Sequence, residues 1–333
     1  MSGGIYTTDK SLDTIISLSD VSTDNLQDNE VLLYNATTEQ WQNGAVGGGG
    51  GATEILETTN LVAKLGTSGD NLVVGATNNI LLGEDCGDGI TTNDNNILVG
   101  KNILRTGNGQ RNILLGENVG VKTTGGYNVC LGFDIGTDIN NGISNSNNVM
   151  IGKLVGGNRV VGSDNVFIGT DVSRYPNNSI NNNVMIGKQA GSGCETGNNV
   201  MLGYGAGQNN YSGAFNTSLG YRAGLANNSN RTVNIGSEAG FSRTSGEDHA
   251  ICIGTETGKA RSGEHSIQIG YRANHNTPTP YQRVIVLNAT GTALDSTASD
   301  TCKIAPIRGV AHGLGVGVMK YDPATSELTY STN

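Results

Sequence analysis

The chain has 333 residues, with 51 glycines, 5 prolines, 5% aromatic residues, 15% charged residues and a net charge of −9. Ordinary disorder would bring more charge and no apolar periodicity, and an acidic chain without a basic cluster argues against a nucleic-acid partner. Its apolar runs fall short of the roughly 20 residues a membrane helix needs, so membrane insertion is not expected.

Residues 1–45 carry no repeat. The start, Met1-Ser2-Gly3-Gly4, lacks the charged and apolar regions of a secretory signal, as expected of a cytosolic product or of a virion part that leaves the cell another way. Val31-Leu32-Leu33-Tyr34 and Gln40-Trp41 read as strands of a small N-terminal attachment module. Residues 46–70 form a glycine-rich hinge and lead-in, with five consecutive glycines from Gly47 to Gly51 as a flexible joint.

Residues 71–275 repeat one phrase. Asn148-Val149-Met150-Ile151-Gly152 returns around Asn165 and Gly169, Asn183 and Gly187, and Asn199 and Gly203. The closing glycines run from Gly75 to Gly270 in steps of 16 to 20 residues after a first step of 8. Such a period predicts an all-β fold, a parallel β-roll or solenoid of about 12–13 coils in which each coil buries its apolar side against the next. Strand alternation puts the second and fourth positions of the phrase, Val149/Ile151 and their equivalents, on one face, read as the core lining. The middle position then faces outward. It is apolar at Leu98, Leu114, Met150, Phe167, Met185 and Met201, a stripe that a monomer would leave sticky, so these six are the candidates for a subunit seam. Beyond Ser218 that row turns polar and the seam should become wetter. The leading asparagines suit a hydrogen-bonded amide ladder, which should fail at Thr232, Ala250 and Ser266. Three residues after each closing glycine, Val155 and Val172 give way to Ala190, Ala206 and Ala223, which predicts a narrower C-terminal half if this row is inside.

From residue 276 to 333 the phrase vanishes. Strand-like text at 283–287 and 301–305 and a hairpin through Asp322-Pro323-Ala324-Thr325 predict a separate small β module capping the stack. The chemistry-bearing residues are scattered. Five cysteines lack a CxxC spacing, and His249, His265, His275 and His312 have no i+4 partner, so no metal site, cofactor or catalytic residue is assigned and the chain does not read as an enzyme. Tyr204, Tyr221 and Tyr271 each follow a closing glycine; rings at an exposed corner could stack on sugars, form a structural ladder or belong to the subunit seam.

The phrase Asn-Val-x-Ile-Gly followed by x-x-Ala-Gly, as in Asn183 to Gly191, resembles the head repeat of trimeric autotransporter adhesins, the YadA-like heads. That resemblance, over about Leu72 to Asn274, implies a left-handed parallel β-roll and a homotrimer, with the middle row as the trimer seam, and a role in binding host surface molecules. The flanks are similar to something else: Ser17 to Val21 with the Leu33 to Trp41 strands resembles phage tail-fibre modules, and Asn288 to Thr329 resembles C-terminal modules of large algal-virus fibre-like proteins. Together they imply a structural and recognition protein of the virion surface. It would join a capsid or tail protein through residues 1–45 and meet a host surface glycan or protein. The alternative is a non-viral, extracellular adhesin of the same fold, and a polysaccharide-degrading solenoid ranks below both.

Overall fold

The computed structural model describes residues 76–136, 146–157, 162–174, 180–242, 248–259, 263–276, 279 and 281–306, together with the backbones of six further strands: Val31–Asn35, Gln40–Gly44, Thr53–Glu57, Asn60–Leu65, Val318–Asp322 and Glu327–Ser331. Among the described residues there is no helix. The chain divides into two compact units, residues 1–54 and 55–333. In the first, Val31–Asn35 pairs antiparallel with Gln40–Gly44, where the sequence predicts a strand pair.

The second unit is a parallel β-solenoid. One sheet of 16 strands takes them in chain order; the fifteen from Asn60–Leu65 to Cys302–Ala305 pair parallel, and Thr53–Glu57 lies at the edge beside Asn60–Leu65. Pairing is in register with the repeat: Val149, Met150, Ile151 and Gly152 lie beside Val166, Phe167, Ile168 and Gly169. Like therefore stacks on like, and a property of one repeat position becomes a column along the molecule.

The stack is longer than the repeat at both ends. Asn60–Leu65 pairs directly with Ile80–Glu84, so the coil before Gly83 comes from the expected lead-in; Gly75 and its phrase lie outside the described residues. Ile285–Asn288 pairs parallel with Ile267–Gly270, and Cys302–Ala305 with Ile285–Asn288. The glycine phrase ends at the expected 275/276 boundary, but alternation of side chains continues beyond it and is enough to extend the sheet. Of the expected C-terminal module, the described part is the hairpin Val318–Asp322 with Glu327–Ser331. The expected hinge at Gly47 to Gly51 lies outside the described residues.

The inside of the coil is opposite to the expectation. Leu81, Leu98, Leu114, Cys130, Met150, Phe167, Met185 and Met201, the middle row, are all fully buried and form the core with Ile103, Val119, Ile135, Val155, Val172, Ala190 and Ala206. The second and fourth positions face outward, at Ile113 39% and Ile151 37% exposed. The leading asparagine shares the parity of the middle residue and is buried with it. Asn165 N–H and Nδ2 donate to Asn148 Oδ1 at 3.0 and 3.0 Å, and Asn183 repeats the pattern on Asn165 at 3.0 and 3.2 Å. An amide ladder has value where water cannot compete for it, so it runs on the dry side. It extends from Asn79 through Asn199 and Asn216 to Thr232, which donates its N–H to Asn216 Oδ1 at 2.9 Å.

Two glycine columns turn the coil. Gly152 has φ 137°, and a Cβ there would lie 1.8 Å from the Gly169 carbonyl oxygen, so neither backbone nor spacing admits a side chain. Gly191 would place a Cβ 2.1 Å from Met185 Sδ, which shows the second corner folding directly over the middle residue. Between the two glycines the small Ala190 lets the chain turn at once, its N–H donating to Gly187 O at 3.3 Å. With Val119 and Ile135 at that position the strand instead runs on, through Ile113–Val119 and Val129–Ile135. From Val184 to Ile253 the strands shorten to three residues each.

Candidate functional surfaces

The six residues expected in the seam, Leu98, Leu114, Met150, Phe167, Met185 and Met201, have no exposed surface and so cannot meet another chain. The stripe exists, one residue to either side. Its two columns read Ile97/Val99, Ile113/Leu115, Val149/Ile151, Val166/Ile168, Val184/Ile186 and Val200/Leu202, and continue through Ile251/Ile253 and Ile267/Ile269 to Ile285/Leu287, with Thr217 the polar interruption. Exposure within it reaches 40% at Ile285 and 45% at Ile304. β-Branched side chains suit a pleated surface, but an aliphatic face running the length of a sheet is far from the scattered exposed apolar residues that need no explanation.

A second surface lies at the corner after the closing glycine. Tyr204 and Tyr221 stack, with ring centroids 5.5 Å apart and planes at 12°. Lys188 Nζ sits 5.9 Å from the Tyr204 ring, and Arg222 lies 5.9 Å from Tyr221 and 5.6 Å from Phe241. Tyr271 belongs to the same column but not to the stack, because Ser237 and Thr255 occupy the coils between; it pairs with Arg272 at 5.0 Å. The structure therefore brings two of the three tyrosines together and leaves the third apart.

Beside the rings runs a charged ladder that sequence reasoning missed. Glu238 is bridged by Arg222 at 4.0 Å and by Lys259; Glu256 is bridged by Lys259 at 3.2 Å and Arg272 at 2.5 Å, with His275 Nε2 3.3 Å from its carboxylate. The hydrogen bond from Arg272, with Lys259, holds the Glu256 carboxyl below its usual range, and the Glu238 bond raises Lys259. The available signal was the position two after the closing glycine, where Arg222, Glu238, Glu256 and Arg272 follow one another at coil spacing. Aromatic faces flanked by donors and acceptors match the CH faces and hydroxyls of a sugar. Asn148, Asn165, Asn183 and Asn199, with Gly152, Gly169, Gly187 and Gly203, build the coil from inside and face no ligand.

Comparisons of the chain with protein families, with curated proteins and with solved structures find no match.

Proposed function

We propose that the chain is a structural and recognition protein, a homotrimeric rod of the virion-fibre or spike type that presents a host-binding surface. The observation that carries this reading is the outward aliphatic face from Ile97 to Ile304. Apolar area contributes about 25 cal/mol per Å² when removed from water, and a face repeated coil after coil offers it to an identical neighbour in the same register. The likeness of the repeat to trimeric adhesin heads supports three chains around that face. The flank resemblances support a virion surface and attachment through residues 1–45, while an extracellular adhesin of non-viral origin would use the same rod.

The recognition half of the proposal rests on the Tyr204–Tyr221 stack with Lys188, Arg222 and Phe241, which suits a surface glycan. Sedimentation equilibrium tests the assembly: a trimer is expected, and a monodisperse monomer at micromolar concentration overturns it. A glycan array tests recognition, with binding expected for the native chain and lost in Tyr204→Ala/Tyr221→Ala. Glycan binding unchanged in that variant moves the site elsewhere.

A further inference from the structure

We propose that His249, Glu264 and His265 bind a transition-metal dication of the zinc, copper or nickel class, as a clip between two successive coils. In sequence the two histidines are 16 residues apart and look unrelated; 16 residues is one coil. Both occupy the column just ahead of the strand, where the backbone is left-handed, with φ 58° at His249 and 55° at His265. The backbone fixes their separation. His265 N–H donates to Asp248 O at 3.0 Å, His249 N–H donates to Asn230 O at 3.1 Å, and two residues on Ile251 pairs with Ile267.

The rings lie face to face, centroids 5.0 Å apart and planes at 8°. Glu264 Oε1 is 3.5 Å from His265 Nδ1, and one ligand atom from each of the three residues falls within 4.8 Å of the others. Metal–imidazole bonds of about 2.0–2.1 Å place two nitrogens on one ion roughly 3.3–4.1 Å apart, from tetrahedral to trans. A metal lies in the plane of each imidazole that binds it, so the two exposed rings must turn out of their parallel stack to converge on one ion. Two imidazoles and one carboxylate suit borderline dications rather than calcium or magnesium, which prefer all-oxygen sets, and solvent completes an open coordination shell. The neighbouring charges have partners of their own. Arg231 lies 5.4 Å from the Phe215 ring, Asp248 Oδ1 accepts the Asn230 N–H at 2.8 Å, and Arg283 makes two bonds to Asp300 at 2.5 and 3.0 Å.

The position also gives the clip a purpose. The amide ladder ends at Thr232, and the next two coils carry Ala250 and Ser266 in its column. Each histidine directly precedes one of those two residues, so a shared ion would link the coils where the interior cross-link is missing. Isothermal titration of the full chain carrying Cys302→Ser, which removes the exposed thiol, tests this with zinc chloride and with nickel chloride. One ion per chain is expected, with a zinc-dependent rise in melting temperature. His249→Asn and His265→Asn should each weaken binding by more than the roughly tenfold that even an outer-shell partner contributes, and abolish the rise. Asparagine already stands in this left-handed column at Asn182 and Asn198, so both variants keep the coil. No saturable binding in the parent, or unchanged affinity in the double variant, overturns the site.

Discussion

At Gly152 the backbone of one coil touches the next so closely that residue choice is settled by contact distance. Gly152→Ala forces both a φ of 137° on an L-residue and a clash with the Gly169 carbonyl; a loss of about 3 kcal/mol or more in denaturant unfolding is expected. Asn165→Ala removes the acceptor of Asn183 N–H and Nδ2 and leaves buried donors without it. That should cost about 1–3 kcal/mol in the same measurement. The cysteines give a separate test of which side is inside. Burial pushes the Cys86 thiol up to about 12 and Cys194 to about 11, raises Cys130 as well, and keeps Cys252 covered, whereas Cys302 is exposed. Alkylation of the native chain at neutral pH should therefore label one thiol of five, and denaturant should release the other four.

Within one strand, neighbouring residues have opposite fates, and charge substitutions separate them. Ile151→Asp with Ile168→Asp places carboxylates on the outward face; we expect a folded chain with unchanged circular dichroism that no longer assembles in sedimentation. Phe167→Asp places one in the fully buried row and should abolish folding, because an unpaired buried charge costs several kcal/mol. Corner ion pairs act more weakly. The Glu256 carboxyl is held low by Arg272 and Lys259, so its contribution is present above the ordinary carboxylate range and fades as pH falls through its lowered folded value. Melting temperature should thus decline on acidification below about pH 4, and Glu256→Gln should flatten part of that decline. High salt should reduce it too, since these pairs are partly exposed.

Taken as one stack, the fifteen strands from Asn60–Leu65 to Cys302–Ala305 make fourteen steps. At the strand spacing of about 4.8 Å this is a length of about 67 Å, measurable by negative-stain imaging. The division between the two units, at 54/55, falls inside the strand Thr53–Glu57, so a chain beginning at Ala52, which keeps that strand whole, should keep its melting transition and its assembly state. Loss of either on that truncation would place structural contacts in the N-terminal unit. If residues 1–45 are the attachment module, the truncated chain should also fail to join particles while still competing for target cells.

The sequence by itself determined the parallel stack, its register and the amide ladder, because each follows from a period: a phrase that closes on Gly at every return, and opens on Asn in all but the last three, places Gly on Gly and Asn on Asn whatever the coil's shape. It also marked Tyr204 and Tyr221 as corner neighbours. It could not say which face of the strand is inside, since both faces are apolar and alternation separates them without naming them. The decisive hint was available in the shared parity of Asn148 and Met150: amides worth stacking are dry, so their face is the core. The tertiary structure also decided where the stack ends, because strands 285–288 and 302–305 need only alternate to join a sheet already formed. It alone brought together His249 with His265 and Arg222 with Glu238, groups 16 residues apart, since only the closing of the coil converts a sequence interval into one strand spacing.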